Sequence, residues 1–308
     1  MKLRPFAAEG PLAAARRRWR ELTTYDIWNV GIATLASPLR SIDDLQLRDI
    51  RWLPPQPPYY YLADPFPYRY ADRDWLLVER YGHPNGVRGD ICRVGPVDDA
   101  IESTASEPAI QRGRHVSYPF TFTSGNDCFC APEMSQEDGC VFYRLERDGS
   151  WRPAHHVLTG RRLVDPTVFT FDDRWWLFAT DPPPDHHTVL HAYYADAIAG
   201  PWTAHAANPI KRDARSARPA GRPFRISSRI YRPAQDGRGT YGAAVEIMEI
   251  VALTPTTFEE RHARRLEPDP QWPYPDGLHH LVIDGTRVYL DAKKTYRDYL
   301  LPFKLRWA

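Results

Sequence analysis

The chain has 308 residues, 43% hydrophobic and 26% charged, with a formal net charge of +1. That is enough apolar material for one large or two ordinary domains, and the near-neutral balance excludes a dedicated nucleic-acid binder, which carries a basic excess. No run approaches the roughly 20 apolar residues of a membrane span, and the basic and apolar segments near the N-terminus come in the wrong order for a secretion signal. A cytoplasmic protein is expected.

Residues 1–24 read as a short helical extension, because PLAAARRRWRELT is rich in strong helix formers and Pro11 suits a first turn. Its Arg16-Arg17-Arg18 run reads as a solvated face. A contact with an anionic, lipid-linked acceptor is the sharper alternative. From Tyr25 onward the pattern changes. A first strand carrying a proline near its start is followed by a turn, an aromatic-rich second strand and usually a third. First strands read ADPFPY, SYPFTF, VDPTVF, ARPAGRPF and GLHHLVI; second strands read DWLLVER, CFCAPEM, RWWLFAT, RIYRPAQ and RVYLDAK. Asp-Arg, Gly-Asn, Asp-Asp, Ser-Ser and Asp-Gly between them are hairpin chemistry. Third strands follow as GDICRV, VFYRLER, VLHAYYA and YGAAVEIMEI.

Five such units, spaced at roughly 50 residues, fit propeller blades. The fold expected is all-β, a single five-bladed β-propeller over residues 25–308 after the 1–24 extension. Either DIWNVGIA or the C-terminal YLLPFKLRW is expected to complete the last blade. The cysteines Cys92, Cys128, Cys130 and Cys140 lack zinc-knuckle spacing and read as reduced, buried hydrophobes.

In a propeller the first strand lines the central channel and the second runs antiparallel beside it, so first-strand starts and second-strand ends gather on one face. The starts contribute Asp64, His115, Ser117, Asp165, Arg218, His279 and His280. The ends contribute Glu79, Glu133, Asp181, Gln235, Asp236, Asp291 and Lys293. An aspartate before proline is also a common turn starter, yet so many charges converging on a concavity favour a functional site over a structural accident. Ser117 has no nucleophile elbow around it. His155-His156 and His186-His187 read as polar loops. No metal or other cofactor is expected: channel carboxylates could hold Ca²⁺, but no loop has the ligand spacing for it.

The segments ADPF and VDPTVF, opening the first and third units, resemble the five-bladed glycosidase superfamily of arabinanases, xylosidases and invertases. The set DIWNVGI, ADPFP, HVSYPF, APEM, VDPTVF, AGPWTAH, ARPAG, RPAQD, YG and GLHHL, from about residue 25 to 291, more closely resembles the N-terminal propeller domain of plant glucosamine inositolphosphorylceramide transferases and their bacterial relatives. The glycosidase likeness implies Asp64 as base or nucleophile and Asp165 as the residue that orients the sugar or tunes a neighbour's pKa. It also implies a general-acid glutamate opening the fourth unit, where this sequence has Arg218. Glu246 and Glu249 lie in that unit's third strand, away from the channel, so an acid would have to come from Glu79 or Glu133.

Three functions are consistent with this pattern. The first is a glycosyltransferase using a phosphate-activated sugar donor, with catalytic Asp64, Asp165 and Glu133. Arg218 and Arg232, with Lys293 near them, would then hold the phosphate, and Glu79, His115, Gln235, His279, His280 and Asp291 would complete the binding surface. The second is a glycoside hydrolase with Glu133 or Glu79 as relocated acid. The third is a non-catalytic sugar-binding propeller that supports a partner enzyme. The partner molecule in each case is a sugar, sugar phosphate or sugar nucleotide.

Overall fold

The computed structural model describes residues 19, 23–57, 60–82, 89–97 and 106–299. They form five antiparallel sheets, each led by one of the five first strands. Blade 1 is β3 (Tyr60–Tyr70), β4 (Arg73–Gly82), β5 (Asp90–Val94) and β6 (Glu107–Ile110). Blade 2 is β7 (Ser117–Ser124), β8 (Asp127–Glu133), β9 (Cys140–Leu145) and β10 (Trp151–Val157). Blade 3 is β11 (Val164–Phe171), β12 (Arg174–Thr180) and β13 (Val189–Ala195), edged by the two-residue β14 (Thr203–Ala204) and β15 (Lys211–Arg212). Blade 4 is β16 (Phe224–Ile226), β17 (Arg229–Asp236), β18 (Ala244–Leu253) and β19 (Phe258–Leu266).

Blade 5 joins the two ends of the chain. Its order is β2-β1-β21-β20, with β20 (Gly277–Asp284) and β21 (Arg287–Arg297) from late in the sequence and β1 (Thr24–Thr34) and β2 (Arg51–Trp52) from early in it. DIWNVGIA therefore closes the ring, paired with β21 from Thr24↔Arg297 to Thr34↔Arg287. YLLPFKLRW lies outside the described residues beyond Tyr299. The fourth strand of each blade was not legible as a repeat, because these edges share no pattern: β2, β6, β14 and β15 are short, β19 is highly charged and β10 carries a proline and two histidines. The helical extension is not supported: almost all of residues 1–24 lie outside the described residues, and Thr24 already belongs to a strand. Among the described residues helix is limited to Trp19, Thr23 and a 3-10 turn at Ile42–Asp44 capped by Ser41.

Every first strand turns into its second through two residues, at 71–72, 125–126, 172–173, 227–228 and 285–286. Ala71 and Asp72 have φ of 49° and 58°, and Asp172 and Asp173 have 47° and 56°, the paired left-handed geometry that matches the twist of a tight hairpin.

The channel is blocked midway. Phe66 meets Tyr118 at 5.0 Å and His280 at 4.5 Å between ring centres, both edge-on. The Tyr118 hydroxyl crosses to blades 3 and 4, lying 2.9 Å from Thr167 Oγ1 and accepting the Gly221 N–H at 2.9 Å. Gly221 has φ of 128°, and a Cβ there would stand 2.0 Å from the Leu281 carbonyl oxygen. The plug separates two mouths, one at the starts of the first strands and one at their hairpin turns. Gly221→Ala is expected to cost about 3 kcal/mol or more, combining strain with a backbone clash. Gly285→Ala, in open space with φ of 61°, should cost only about 1–2 kcal/mol. Denaturant unfolding of both variants measures the difference, and equal costs would remove Gly221 from the closure of the channel.

Candidate active site

The first-strand starts share a local distortion. Asp64, Tyr118 and Asp165 have φ of 51°, 45° and 50°, and each precedes a proline, which drives its predecessor out of the right-handed helical region. Pairing slips there, between Ala63 and Phe66, Ser117 and Phe120, and Val164 and Thr167. Blade 5 slips likewise between Leu278 and His280. Such bulges re-aim side chains, and left-handed non-glycine residues concentrate at working sites.

The freed backbone N–H groups are received by carboxylates from the neighbouring blade. Asp64 N donates to Asp291 Oδ2 at 2.8 Å, and Asp165 N donates to Glu133 Oε2 at 3.4 Å. Asp291 Oδ1 also lies 2.6 Å from His279 Nδ1, whose Nε2 is 3.5 Å from Asp64 Oδ1. An Asp291–His279–Asp64 relay results. Beside it Asp165 is gripped by Arg218, with Nε at 2.6 Å and Nη2 at 3.4 Å, and receives Gln235 Nε2 at 3.2 Å. All of these groups except Arg218 are buried.

Burial sorts the acids. It pushes Asp64 up to about 7, helped by Asp291 and Asp165 and opposed by His279. It pushes Glu133 up to about 8, with Asp165 adding and Arg218 opposing. Glu79 also rises, by burial first and then by the carboxylates around it. Asp165 is buried too, but Arg218 overrides the desolvation and holds it below its ordinary value. For His279 desolvation works downward, and the Asp291 carboxylate more than offsets it, leaving the imidazole raised. His280 is driven down to about 4 by burial, and its Nε2 lies 3.1 Å from the Pro65 carbonyl. One pit thus holds two carboxyls raised by burial, Glu133 and Asp64, beside a third, Asp165, kept low by its cation.

Of the residues expected from sequence, Asp64, Glu79, Glu133, Asp165, Arg218, Gln235, His279, His280 and Asp291 converge here. His115 sits at the rim, its Nε2 at 3.8 Å from Glu79 and its Nδ1 accepting Gly89 N–H at 3.1 Å. Arg232 does not belong. Its guanidinium is committed to Glu260 at 2.6 and 2.8 Å and to the Ser216 carbonyl at 2.6 Å, with Lys211 on the same glutamate. Lys293 is held outside the carboxylate cluster by Asp26 at 2.7 Å and Thr240 at 3.1 Å, over the Trp28 ring.

Three aromatic contributors were not singled out in the sequence. Trp28 lies 4.0 Å from the His279 ring. Tyr241, 38% exposed on the β17–β18 loop, covers the Arg218 guanidinium at 5.3 Å and meets His279 at 5.1 Å. His187, read as part of a polar loop, packs 5.7 Å from Tyr241. Ligand atoms of Asp64, His279 and Asp291 lie within 4.8 Å of one another, a spacing able to hold a metal ion. Asp291 already accepts two hydrogen bonds there, and a cation would have to displace them.

The raised acids carry a stability consequence. Glu133 has an ordinary value of 4.5 and a folded value near 8, so between those pH values the folded state binds the extra proton and stability falls as pH rises. Glu133→Gln, which mimics the neutral acid, is expected to gain in Tm relative to wild type as pH is raised from about 5 to about 8. A constant Tm difference across that range would show that Glu133 is not held neutral.

Comparison with known proteins agrees with this architecture. The fold is similar to that of Zg3597, a family 117 glycoside hydrolase from Zobellia galactanivorans, with TM-score 0.52 and 11% identity over 89% of this chain and 91% of that one. It is also similar to 1,3Gal43A, an exo-beta-1,3-galactanase from Clostridium thermocellum, with TM-score 0.52 and 9% identity over 78% of this chain and 69% of that one. At such identities the likeness shows the fold alone. In sequence the chain is 32% identical over 208 residues to glucosamine inositolphosphorylceramide transferase 1 of Oryza sativa subsp. japonica, covering 66% of this chain and 28% of that protein. The Arabidopsis thaliana protein of that name is 28% identical over 214 residues, covering 66% and 27%. The chain therefore spans little more than a quarter of the length of these relatives. Residues 55–268, well over half of the chain, match the family model described as glucosamine inositolphosphorylceramide transferase 1, N-terminal, and the chain belongs to that family.

Proposed function

We propose that the protein acts at a glycosidic centre, transferring a sugar from a phosphate-activated donor to an acceptor hydroxyl within the pit around Asp64. The observation that carries this reading is the unequal partnering of neighbouring buried carboxyls: Arg218 grips Asp165, Glu133 accepts the Asp165 N–H and is raised by burial, and Asp64 faces the His279 imidazole. Asp64, backed by His279 and Asp291, takes the proton from the acceptor oxygen as that oxygen bonds to the anomeric carbon. The bond from that carbon to the donor phosphate breaks, and its electron pair leaves with the phosphate oxygen. Glu133 can deliver a proton to that oxygen, supplying the acid that the fourth blade lacks. Arg218 commits Nε and Nη2 to Asp165, leaving Nη1 for the leaving anion. Family membership supports transfer, since the relatives' name is that of a transferase.

The commitment of Arg218 to Asp165 favours a second reading, hydrolysis of a neutral glycoside with Glu133 as acid. Turnover assays with sugar nucleotides, sugar phosphates and aryl glycosides separate the two. Transfer requires donor-dependent product and no free sugar from aryl glycosides. Under either reading Asp64→Asn and Glu133→Gln should each lower turnover by about 10²–10⁴-fold. If neither variant loses turnover, or if ligands bind with no turnover in wild type, the pit is a binding site only.

The pH profile is a further test. Asp64 as base must be ionised, so rate should fall as pH drops below about 7. Glu133 as acid must be protonated, so rate should fall as pH rises above about 8. A narrow bell centred between these limits is expected, and Glu133→Gln should abolish its alkaline limb along with most of the rate.

A further inference from the structure

The opposite mouth of the channel is a different chemical environment. The five hairpin turns surround a cavity of about 960 Å³, lined among others by Arg69, Arg222, Arg225, Arg287, Asp74 and Asp284. Four arginines thus face two aspartates. Asp74 is taken by Arg69 at 3.3 Å and Arg287 at 3.1 Å. Asp284 makes no ion pair among the described residues.

Arg222 is the unusual member. It is partly buried and reaches across the channel axis, with Nη2 donating to the Pro67 carbonyl at 3.2 Å, the Thr121 carbonyl at 3.0 Å and Thr121 Oγ1 at 2.7 Å. All of those acceptors are neutral. Its Nε is buried with no acceptor, and among the described residues no carboxylate lies within ion-pair distance of it. Burial pulls its guanidinium below the usual arginine value, and Asp284 offsets this only in part. Arg225, three residues on, has a cation–π contact with Phe171 at 5.9 Å and likewise no carboxylate partner among the described residues. Withdrawing a cation from water without a counter-charge is costly, and concave walls focus the field of the cations that remain.

We propose that this cavity is a second ligand site, separate from the Asp64 pit, which takes an organic oxyanion through Arg222 and Arg225. The volume exceeds what a bare inorganic ion fills and falls in the range of small-molecule sites. Tyr68, Phe122, Phe169 and Trp175 line it and provide apolar surface for the body of such a ligand. Phosphate and carboxylate groups share the required chemistry, since a guanidinium fork recognises both.

The test uses phenyl phosphate and benzoate as probes, titrated calorimetrically into the full chain. Saturable binding of at least one probe is expected, weakened about 10-fold or more by Arg222→Met and by Arg225→Met, and surviving in Arg218→Met at the other mouth. Preference between the probes identifies the anion. The inference is overturned if wild type binds neither probe saturably. Binding unchanged by Arg225→Met and by any folded Arg222 variant also overturns it, as does binding lost only with Arg218. Arg225 is exposed, so its variant reports even if Arg222→Met fails to fold. The site does not depend on the function proposed for the Asp64 pit.

Discussion

The Asp291 carboxylate is where closing the ring and building the pit become one event. It sits on β21, the strand that pairs with β20 on one side and with the early strand β1 on the other. One oxygen receives the Asp64 N–H from blade 1, and the other meets His279 of its own blade. Asp64 can hold its left-handed backbone only if that exposed N–H is satisfied, and the acceptor arrives only when the two ends of the chain have met. Glu133 repeats the arrangement between blades 2 and 3 with Asp165. A ring that failed to close would thus leave Asp64 without the geometry that places it beside His279.

Crowding acids into a dry pit works against folding, and the way the structure relieves it is also what differentiates them. One route is pairing: Arg218 neutralises Asp165, and His279 neutralises Asp291. The other is a raised carboxyl: burial lifts Glu133, where Arg218 offsets the rise only in part, and lifts Glu79, where the surrounding carboxylates add to it. Asp64 lies between, drawn up by burial and down by the imidazole. Elsewhere in blade 4 buried acids are paired without such tension, as with Glu246, which meets Arg215, Arg265 and His262. That contrast separates a site from a structural ion network, since both are buried and charged and only one leaves carboxyls such as Glu133 with no ion pair among the described residues.

Much of this was legible because the repeat is written in residues with local consequences. A proline after Asp64, Tyr118 and Asp165 marks the same bulge in three blades, a proline also follows Arg218 in the fourth, and the topology then places the residue before it at one mouth. Arg232 shows where the reading was too coarse. It lies three residues before Gln235 on β17, and strand side chains alternate, so the two must face opposite ways. Gln235 reaches Asp165, while Arg232 turns to Glu260. Lys293 shares parity with Asp291 but lies two residues beyond it, where Asp26 of the ring-closing strand captures it. Tyr241 and His187 were illegible for another reason. They stand on loops between later strands, whose paths over the mouth are set by tertiary contact: a Cβ on Gly242 would stand 2.5 Å from the Trp28 ring.

The plug between the mouths gives the fold an asymmetry that the repeat alone does not predict. Five first strands could line an open pore, with similar environments at both ends. Instead Tyr118, the one bulged, pre-proline residue that is aromatic, sends its hydroxyl across to Thr167 and Gly221, and Phe66 and His280 close around its ring. Above this layer the bulges deliver carboxylates, and below it the straight ends of β3 and β7 deliver carbonyls while Arg222 reaches in from the segment before β16. The aromatic layer holds the two sets of charges apart, and among the described residues no acid above it forms an ion pair with Arg222 or Arg225 below. The imbalance at each mouth is kept by the plug, so each must be resolved locally, by protons and pairing in the pit and by an anion from solution in the opposite cavity.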